Sequence, residues 1–119
     1  MIFIYGFLAP SDPARWHAMP ETLRDKTFRS GAIRVVEAGP DALARFDRIV
    51  RATPRTTVLA GSVEAGMVSY VTRTAAWGFP DYTTARQNGD RLETYARSRF
   101  GNGDFGVNRV RLEAWLAQL

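Results

Sequence analysis

Residues 81–99 read DYTTARQNGDRLETYARSR, and this stretch decides the fold because it contains a complete hairpin. Threonine, tyrosine and leucine, which strands favour, alternate with charged side chains on both sides of Asn88 and Gly89. Asn-Gly is a strong hairpin signal, since both central residues of a type I′ turn need a positive φ. The stretch therefore predicts two antiparallel strands, at 81–87 and 90–99.

The residues before this hairpin extend it into a larger sheet. The period of two continues upstream and predicts strands at 56–63 and 67–77. Turns that contain glycine, at 64–66 and 78–80, separate these strands, and such short connections imply an antiparallel meander. A further strand-like stretch lies at 32–37.

Two helices accompany the predicted strands. Apolar residues at helical spacing predict one helix at 41–52, capped by the Asp41 carboxylate, and another at 105–118, capped by Asp104. The element order is then strand, helix, four strands, helix. The predicted fold class is α+β, a four-stranded antiparallel meander with two helices on one face.

We interpret residues 1–31 as an N-terminal arm of irregular structure and residues 32–119 as a single α+β domain. Prolines at 10, 13 and 20 argue against a long helix in the arm, and Trp16 and Met19 are expected to anchor it. Residues 1–8 are mostly apolar but too few to span a bilayer, which takes about 20 residues. We expect them to pack on the sheet, a partner or a membrane, or to be the end of a membrane anchor.

Composition narrows the chemistry that the chain can support. The absence of cysteine excludes disulfides and thiolate metal sites, and the one histidine, His17, makes a zinc site unusual. No phosphate-loop or standard catalytic motif occurs, so we predict no metal, no cofactor and no catalytic set. The formal net charge is +4, but the arginines are spread along the whole chain, so no specific nucleic-acid partner is expected.

The C-terminal part carries a dense motif. Arg97, Ser98 and Arg99 are followed by DFGVNRVRLE at 104–113, and GFPD stands upstream at 78–81. This pattern resembles an uncharacterised family, domain of unknown function 1499, which is found in bacteria and in plastid-bearing eukaryotes. The resemblance covers roughly residues 40–119.

The resemblance implies no activity, because the family has none assigned. Members often carry a signal peptide, a lipoprotein signal or a membrane segment upstream. The resemblance therefore favours a periplasmic or other extracytoplasmic, membrane-associated location, and a cytoplasmic location stays open. Residues 1–8 then look like the end of such a segment.

The hairpin offers a first candidate site. With a two-residue Asn-Gly turn, Tyr82 lies opposite Tyr95, and both share a face with Arg97 and Arg99. The smaller residues of the other face suit packing under helices. The first face would present two tyrosines and four arginines to an anion, a lipid head group or an acidic partner. The alternative is a solvated face on which an arginine pairs with Glu93.

The start of the terminal helix offers a second candidate. Asn108 and Arg111 lie one turn apart, whereas Arg109 lies on another face. These three side chains and the helix amides would bind an anion in the functional interpretation. In the structural interpretation, an arginine clamps an aspartate across a glycine turn, and the motif residues are Asp81, Asp104 and Gly106.

The sequence favours a non-enzymatic binding or accessory domain at or near a membrane, in contact with a protein complex or lipid. The alternative is an enzyme that acts on an anionic substrate through Asp81, Asp104 and the arginines of the motif. Nucleic-acid binding ranks last, because no basic tract follows a phosphate backbone.

Overall fold

The computed structural model describes residues 11–21, 23–75, 78–99 and 105–119. These residues form an antiparallel sheet of six strands, in the spatial order β1-β2-β6-β5-β4-β3, together with three helices. The strands are β1 (Lys26–Phe28), β2 (Gly31–Glu37), β3 (Thr56–Ser62), β4 (Met67–Arg73), β5 (Pro80–Asn88) and β6 (Arg91–Ser98). The helices are α1 (Pro13–Trp16), α2 (Ala42–Arg51) and α3 (Val107–Leu116).

The α+β class is confirmed, but the predicted sheet of four strands is wrong, because the sheet has six. The predicted strand at 32–37 is β2, and it belongs to the same sheet because it pairs with β6 over seven residues. Beyond it, β1 adds an outer strand in a region predicted to be irregular. With only three residues, β1 is too short to display a period of two, so the pattern gives no sign of it.

The N-terminal region also contains a short helix where irregular chain is predicted. α1 begins after Asp12, whose carboxylate accepts a hydrogen bond of 3.0 Å from the Ala14 amide. Pro13 occupies the first helical position, where its missing N–H would have had no partner within the helix. The prolines therefore limit the helix to one turn but do not prevent it.

The β5–β6 hairpin has the predicted strands and a different turn. Its two-residue turn lies at 89–90 instead of 88–89, so each cross-strand pair shifts by two residues. Tyr82 consequently lies opposite Arg97 and not opposite Tyr95. Because side chains alternate with a period of two, this shift leaves every residue on its predicted face. The predicted pairing is wrong, and the predicted faces are confirmed.

Both longer helices pack on one face of the sheet, as predicted. α2 contacts β3, β5 and β6, α3 contacts β2 and β6, and the two helices contact each other. Phe46 of α2 lies at the centre of this contact, with its ring edge-on to Tyr70 of β4 and to Trp115 of α3. Other buried members of this core are Ala32, Leu43, Val50, Val68, Ala85, Leu92, Ala96 and Leu112. Removal of this apolar area from water is the main force that closes this face.

The start of α2 is held by the sheet and not by Asp41. The Asp41 carboxylate makes no hydrogen bond to the helix amides and pairs with Arg45 at 3.2 Å. The Leu43 amide donates instead to Oε1 of Gln87 in β5, at 2.8 Å. The predicted Asp41 cap is therefore wrong, because Gln87, which lies 44 positions after Leu43, supplies the acceptor.

α3 begins two residues later than predicted. Phe105 and Gly106 have φ values of 55° and 77°, in the left-handed region, so the right-handed helix starts only at Val107. Asp104, the predicted cap, lies outside the described residues, as do residues 1–8.

Candidate functional site

The sheet face opposite the helices is covered by residues 11–17. From here on, the arm means this segment and no longer the whole of residues 1–31. The Trp16 ring stacks on the Tyr82 ring, with centroids 4.0 Å apart and planes inclined by 12°. The Ser11 and Tyr82 hydroxyls share a hydrogen bond of 2.8 Å, and His17 Nδ1 lies 2.8 Å from Ser69 Oγ. The face predicted to be open is thus closed at its centre, because a distant segment of the chain lies across it.

Arg97 is buried beneath the arm, with only 5% of its surface exposed. Nη1 donates to Thr84 Oγ1 at 2.9 Å and to the Tyr95 carbonyl at 3.0 Å, and Nη2 donates to the Trp16 carbonyl. The guanidinium also lies over the Tyr95 ring, 4.2 Å from its centroid. Among the described residues, no carboxylate forms an ion pair with it. Its hydrogen-bond partners are neutral, so within the described part of the chain no ion pair compensates the positive charge.

Burial lowers the pKa of Arg97 to about 10, which still leaves the group protonated at neutral pH. Arg99, immediately after β6, donates through Nη1 to the Tyr82 hydroxyl at 3.3 Å. The structure therefore brings together all four residues that the hairpin pattern selected, namely Tyr82, Tyr95, Arg97 and Arg99.

The other end of this face holds an ion-pair cluster around Glu93. Glu93 is fully buried, and its carboxylate lies 2.8 Å from Arg86 Nε and 2.9 Å from Arg91 Nη2. Burial alone would raise the pKa of Glu93, but hydrogen bonds from Arg86 and Asn88 outweigh it and hold that pKa below its usual value. An arginine does pair with Glu93, as the alternative interpretation holds; the pairs are with Arg86 and Arg91, and Arg97 takes no part.

The C-terminal motif forms a ring of polar side chains between β5, β6 and α3. Arg111 Nη1 donates to Asp81 Oδ2 at 3.2 Å and to Asn108 Oδ1 at 3.3 Å. Asn108 Nδ2 donates to Ser98 Oγ at 2.9 Å, and Ser98 Oγ donates to Asp81 Oδ1 at 2.9 Å. Asp81 and Asn108 are buried. The predicted arginine–aspartate clamp is thus confirmed as Arg111 on Asp81, and it fastens α3 to the sheet.

Arg109 stands apart from this ring. It pairs with Glu113 at 2.9 Å on the exposed side of α3, and Glu113 also pairs with Arg34 of β2 at 3.0 Å. Asn108, Arg109 and Arg111 therefore do not converge on one point, so the predicted three-residue anion site at this helix is not assembled in the described structure.

The outer side of α3 exposes apolar residues that the sequence analysis did not single out. Phe105 is wholly exposed, at 104%, and Val107 and Val110 are about half exposed, at 46% and 55%. Ala114 and Ala117 continue this side of the helix toward its C-terminal end. No described helix is long and apolar enough to cross a membrane.

The arm residues are the members of the hairpin site that sequence reasoning missed. Trp16 was expected to anchor the arm, but nothing in the pattern indicates which surface it contacts. His17, considered above only as a zinc ligand, contacts Ser69 of β4. The available signal is a tryptophan in a polar, proline-rich stretch, since such a ring needs an apolar or aromatic surface to cover.

Fold and site together define an α+β domain with a sheet closed by helices on one face and by an N-terminal arm on the other. The family model described as "Protein of unknown function (DUF1499)" matches residues 8–119, nearly the whole chain, and the chain belongs to this family. No curated protein and no solved structure matches the chain.

Proposed function

We propose that the chain is a non-catalytic binding domain that docks, at or near a membrane, onto lipid or a membrane protein complex through Phe105 and the outer side of α3. One observation carries the proposal: a phenylalanine ring is held fully in solvent on left-handed backbone.

Both properties of Phe105 are unfavourable for the isolated domain. A left-handed conformation costs an ordinary residue on the order of 1–2 kcal/mol, and glycine or asparagine would form this turn more easily. Because the exposed ring gives the domain no packing in return, its value must lie in a contact outside the domain.

α3 continues the same surface. Val107, Val110, Ala114 and Ala117 recur at positions that share one side of a helix, and Leu112 and Trp115 occupy the opposite, buried side. A helix that is apolar on two sides is suited to burial on both of them. This supports an apolar surface, either lipid or protein, against the outer side of α3.

The geometry of Asp81 supports a non-catalytic role over the enzymatic alternative. One carboxylate oxygen accepts from Ser98 and the other from Arg111, so neither is directed at a substrate. Asp104, the second residue of that alternative, lies outside the described residues.

Sedimentation with membranes of the native host tests the proposal, with Phe105→Asn as the variant and Val58→Thr as its control. Val58 is also an exposed apolar residue, but it lies in the edge strand β3. We expect the parent chain and the control to sediment and Phe105→Asn to stay in solution, with a free energy of unfolding no lower than the parent's because asparagine tolerates left-handed backbone. Protease treatment of the membranes separates a protein partner from lipid. Equal sedimentation of Phe105→Asn and the parent, or none for the parent, would refute the proposal.

A further inference from the structure

We infer that Arg97 is the centre of a cryptic binding site for a phosphate group, and that the arm at 11–17 is a detachable strap across it. The phosphate belongs either to a small soluble molecule or to a lipid head group. The inference uses the opposite side of the domain from Phe105 and does not depend on the proposed function.

The first argument is the uncompensated charge of Arg97. Burying an ion is costly unless a counter-charge and hydrogen bonds replace its lost hydration. Arg97 has the hydrogen bonds, which it donates to Thr84 and to two main-chain carbonyls, but no paired carboxylate among the described residues. Glu93, on the same face, is already neutralised by two other arginines. A bound anion would supply the charge that the closed state lacks.

The second argument is the shallow attachment of the arm. α1 has a single turn and contains no buried residue. Trp16 makes most of the contacts, through its ring on Tyr82 and through its carbonyl, which accepts from Arg97 and from Thr84 at 3.2 Å. Ser11 and His17 add one hydrogen bond each. The carbonyl oxygen of Trp16 therefore occupies the position that a ligand oxygen would take.

The third argument is the set of groups beneath the arm. Arg97 lies directly opposite Tyr82 in the hairpin, and Arg99, immediately after β6, donates to the Tyr82 hydroxyl at 3.3 Å. The Thr84 hydroxyl lies within hydrogen-bond distance of Arg97. Arg97 beside the Thr84 hydroxyl and Arg99 beside the Tyr82 hydroxyl supply the positive charge and the donors that the several oxygens of a phosphate group need.

A site covered most of the time binds with an apparent affinity lowered by the fraction of open molecules. Loss of the Trp16 ring should open the strap and tighten phosphate binding. Titration of inorganic phosphate at constant ionic strength, followed by NMR, compares the parent, Trp16→Ala and Trp16→Ala with Arg97→Met. We expect about tenfold tighter binding in Trp16→Ala than in the parent, and loss of binding in the double variant. Arg91→Met in the Trp16→Ala background is the matched control, and it should bind as Trp16→Ala does.

A second measurement uses the parent chain alone. Trypsin cleavage after Arg15, within α1, reports release of the arm, and phosphate should accelerate it relative to chloride at equal ionic strength. Vesicles of phosphatidylglycerol, tested in a Phe105→Asn background, show whether a lipid head group serves as the ligand. Binding to inorganic phosphate or to the vesicles that requires Arg97 supports the inference. Equal phosphate affinity of the parent and Trp16→Ala, or binding that persists without Arg97, would overturn it.

Discussion

The two faces of the sheet use the same strands and are closed in opposite ways. On one face, α2 and α3 bury an apolar core around Phe46. On the other, a seven-residue arm covers tyrosines, threonines and an arginine whose charge has no counter-ion among the described residues. Neighbouring residues of β5 belong to different faces, so Thr84 lies under the arm and Ala85 under the helices.

This difference separates a permanent cover from a removable one. Apolar burial scales with area and holds the helices wherever the chain is folded. The arm is held by a ring stack and a few hydrogen bonds, each of which water or a ligand could replace at modest net cost. Regions of this kind open locally at free energies well below that of global unfolding.

The largest effect should come from the helix-covered face. Phe46→Ala removes a fully buried ring and leaves a cavity between Tyr70 and Trp115, so we expect a loss of about 3–5 kcal/mol in the free energy of unfolding. Trp16→Ala, in the arm, should lose only about 1–2 kcal/mol although the ring is larger. Urea denaturation of both variants measures the two losses. Equal losses in the free energy of unfolding would mean that the helices and the arm stabilise the fold to the same extent.

The clamp between α3 and the sheet should give an intermediate effect. Asp81→Asn keeps the shape of the side chain but removes the charge that Arg111 faces in a largely buried setting, so we expect a loss of about 2 kcal/mol. Asp41→Asn, which weakens an exposed pair with Arg45, is the control and should cost about 0.5 kcal/mol or less. A clamp variant that unfolds like its control would show that the motif does not stabilise the domain.

The smallest effect should be a pH dependence from Glu93. Its pKa is lower in the folded chain than the value of about 4.3 in an unfolded one. The resulting stabilisation is present above about pH 4.3 and is lost as the pH falls through the lowered pKa. Glu93→Gln lacks a carboxylate at this position, so its stability should decline less steeply below pH 4.3 than that of the parent. Urea denaturation at a series of pH values measures both stabilities. An equal decline of the parent and Glu93→Gln below pH 4.3 would contradict the ion-pair cluster.

Local patterns were sufficient for much of the fold. Alternation and helical spacing predicted five of the strands, both longer helices and the side of the sheet that the helices cover. The predicted hairpin was wrong by two residues in pairing, yet the faces survived because an even shift preserves alternation. An arginine–aspartate clamp followed from general chemistry, since a glycine-rich turn needs polar partners. The pattern did not select Arg111 and Asp81 from the four arginines and two aspartates of the motif.

The arm and its consequences were beyond local patterns. Ser11 meets Tyr82 across 71 positions, and Trp16 meets Thr84 across 68, so no window of sequence contains both partners. An arginine on an alternating strand is typical of a solvated face, and only the arm makes Arg97 a buried charge. The Asp41 cap failed for the same reason, because Gln87 competes for the amide from another element.

The removable cover is tested most directly by two adjacent residues of β5. The chain has no cysteine, so Thr84→Cys and Ala85→Cys each introduce a single thiol, and both positions are fully buried in the parent. Thiol labelling under native conditions measures the free energy of opening each cover. We expect the Thr84→Cys thiol to react through an opening at least about 2 kcal/mol below global unfolding, and the Ala85→Cys thiol to react only when the chain unfolds. Equal protection of the two thiols would contradict the account.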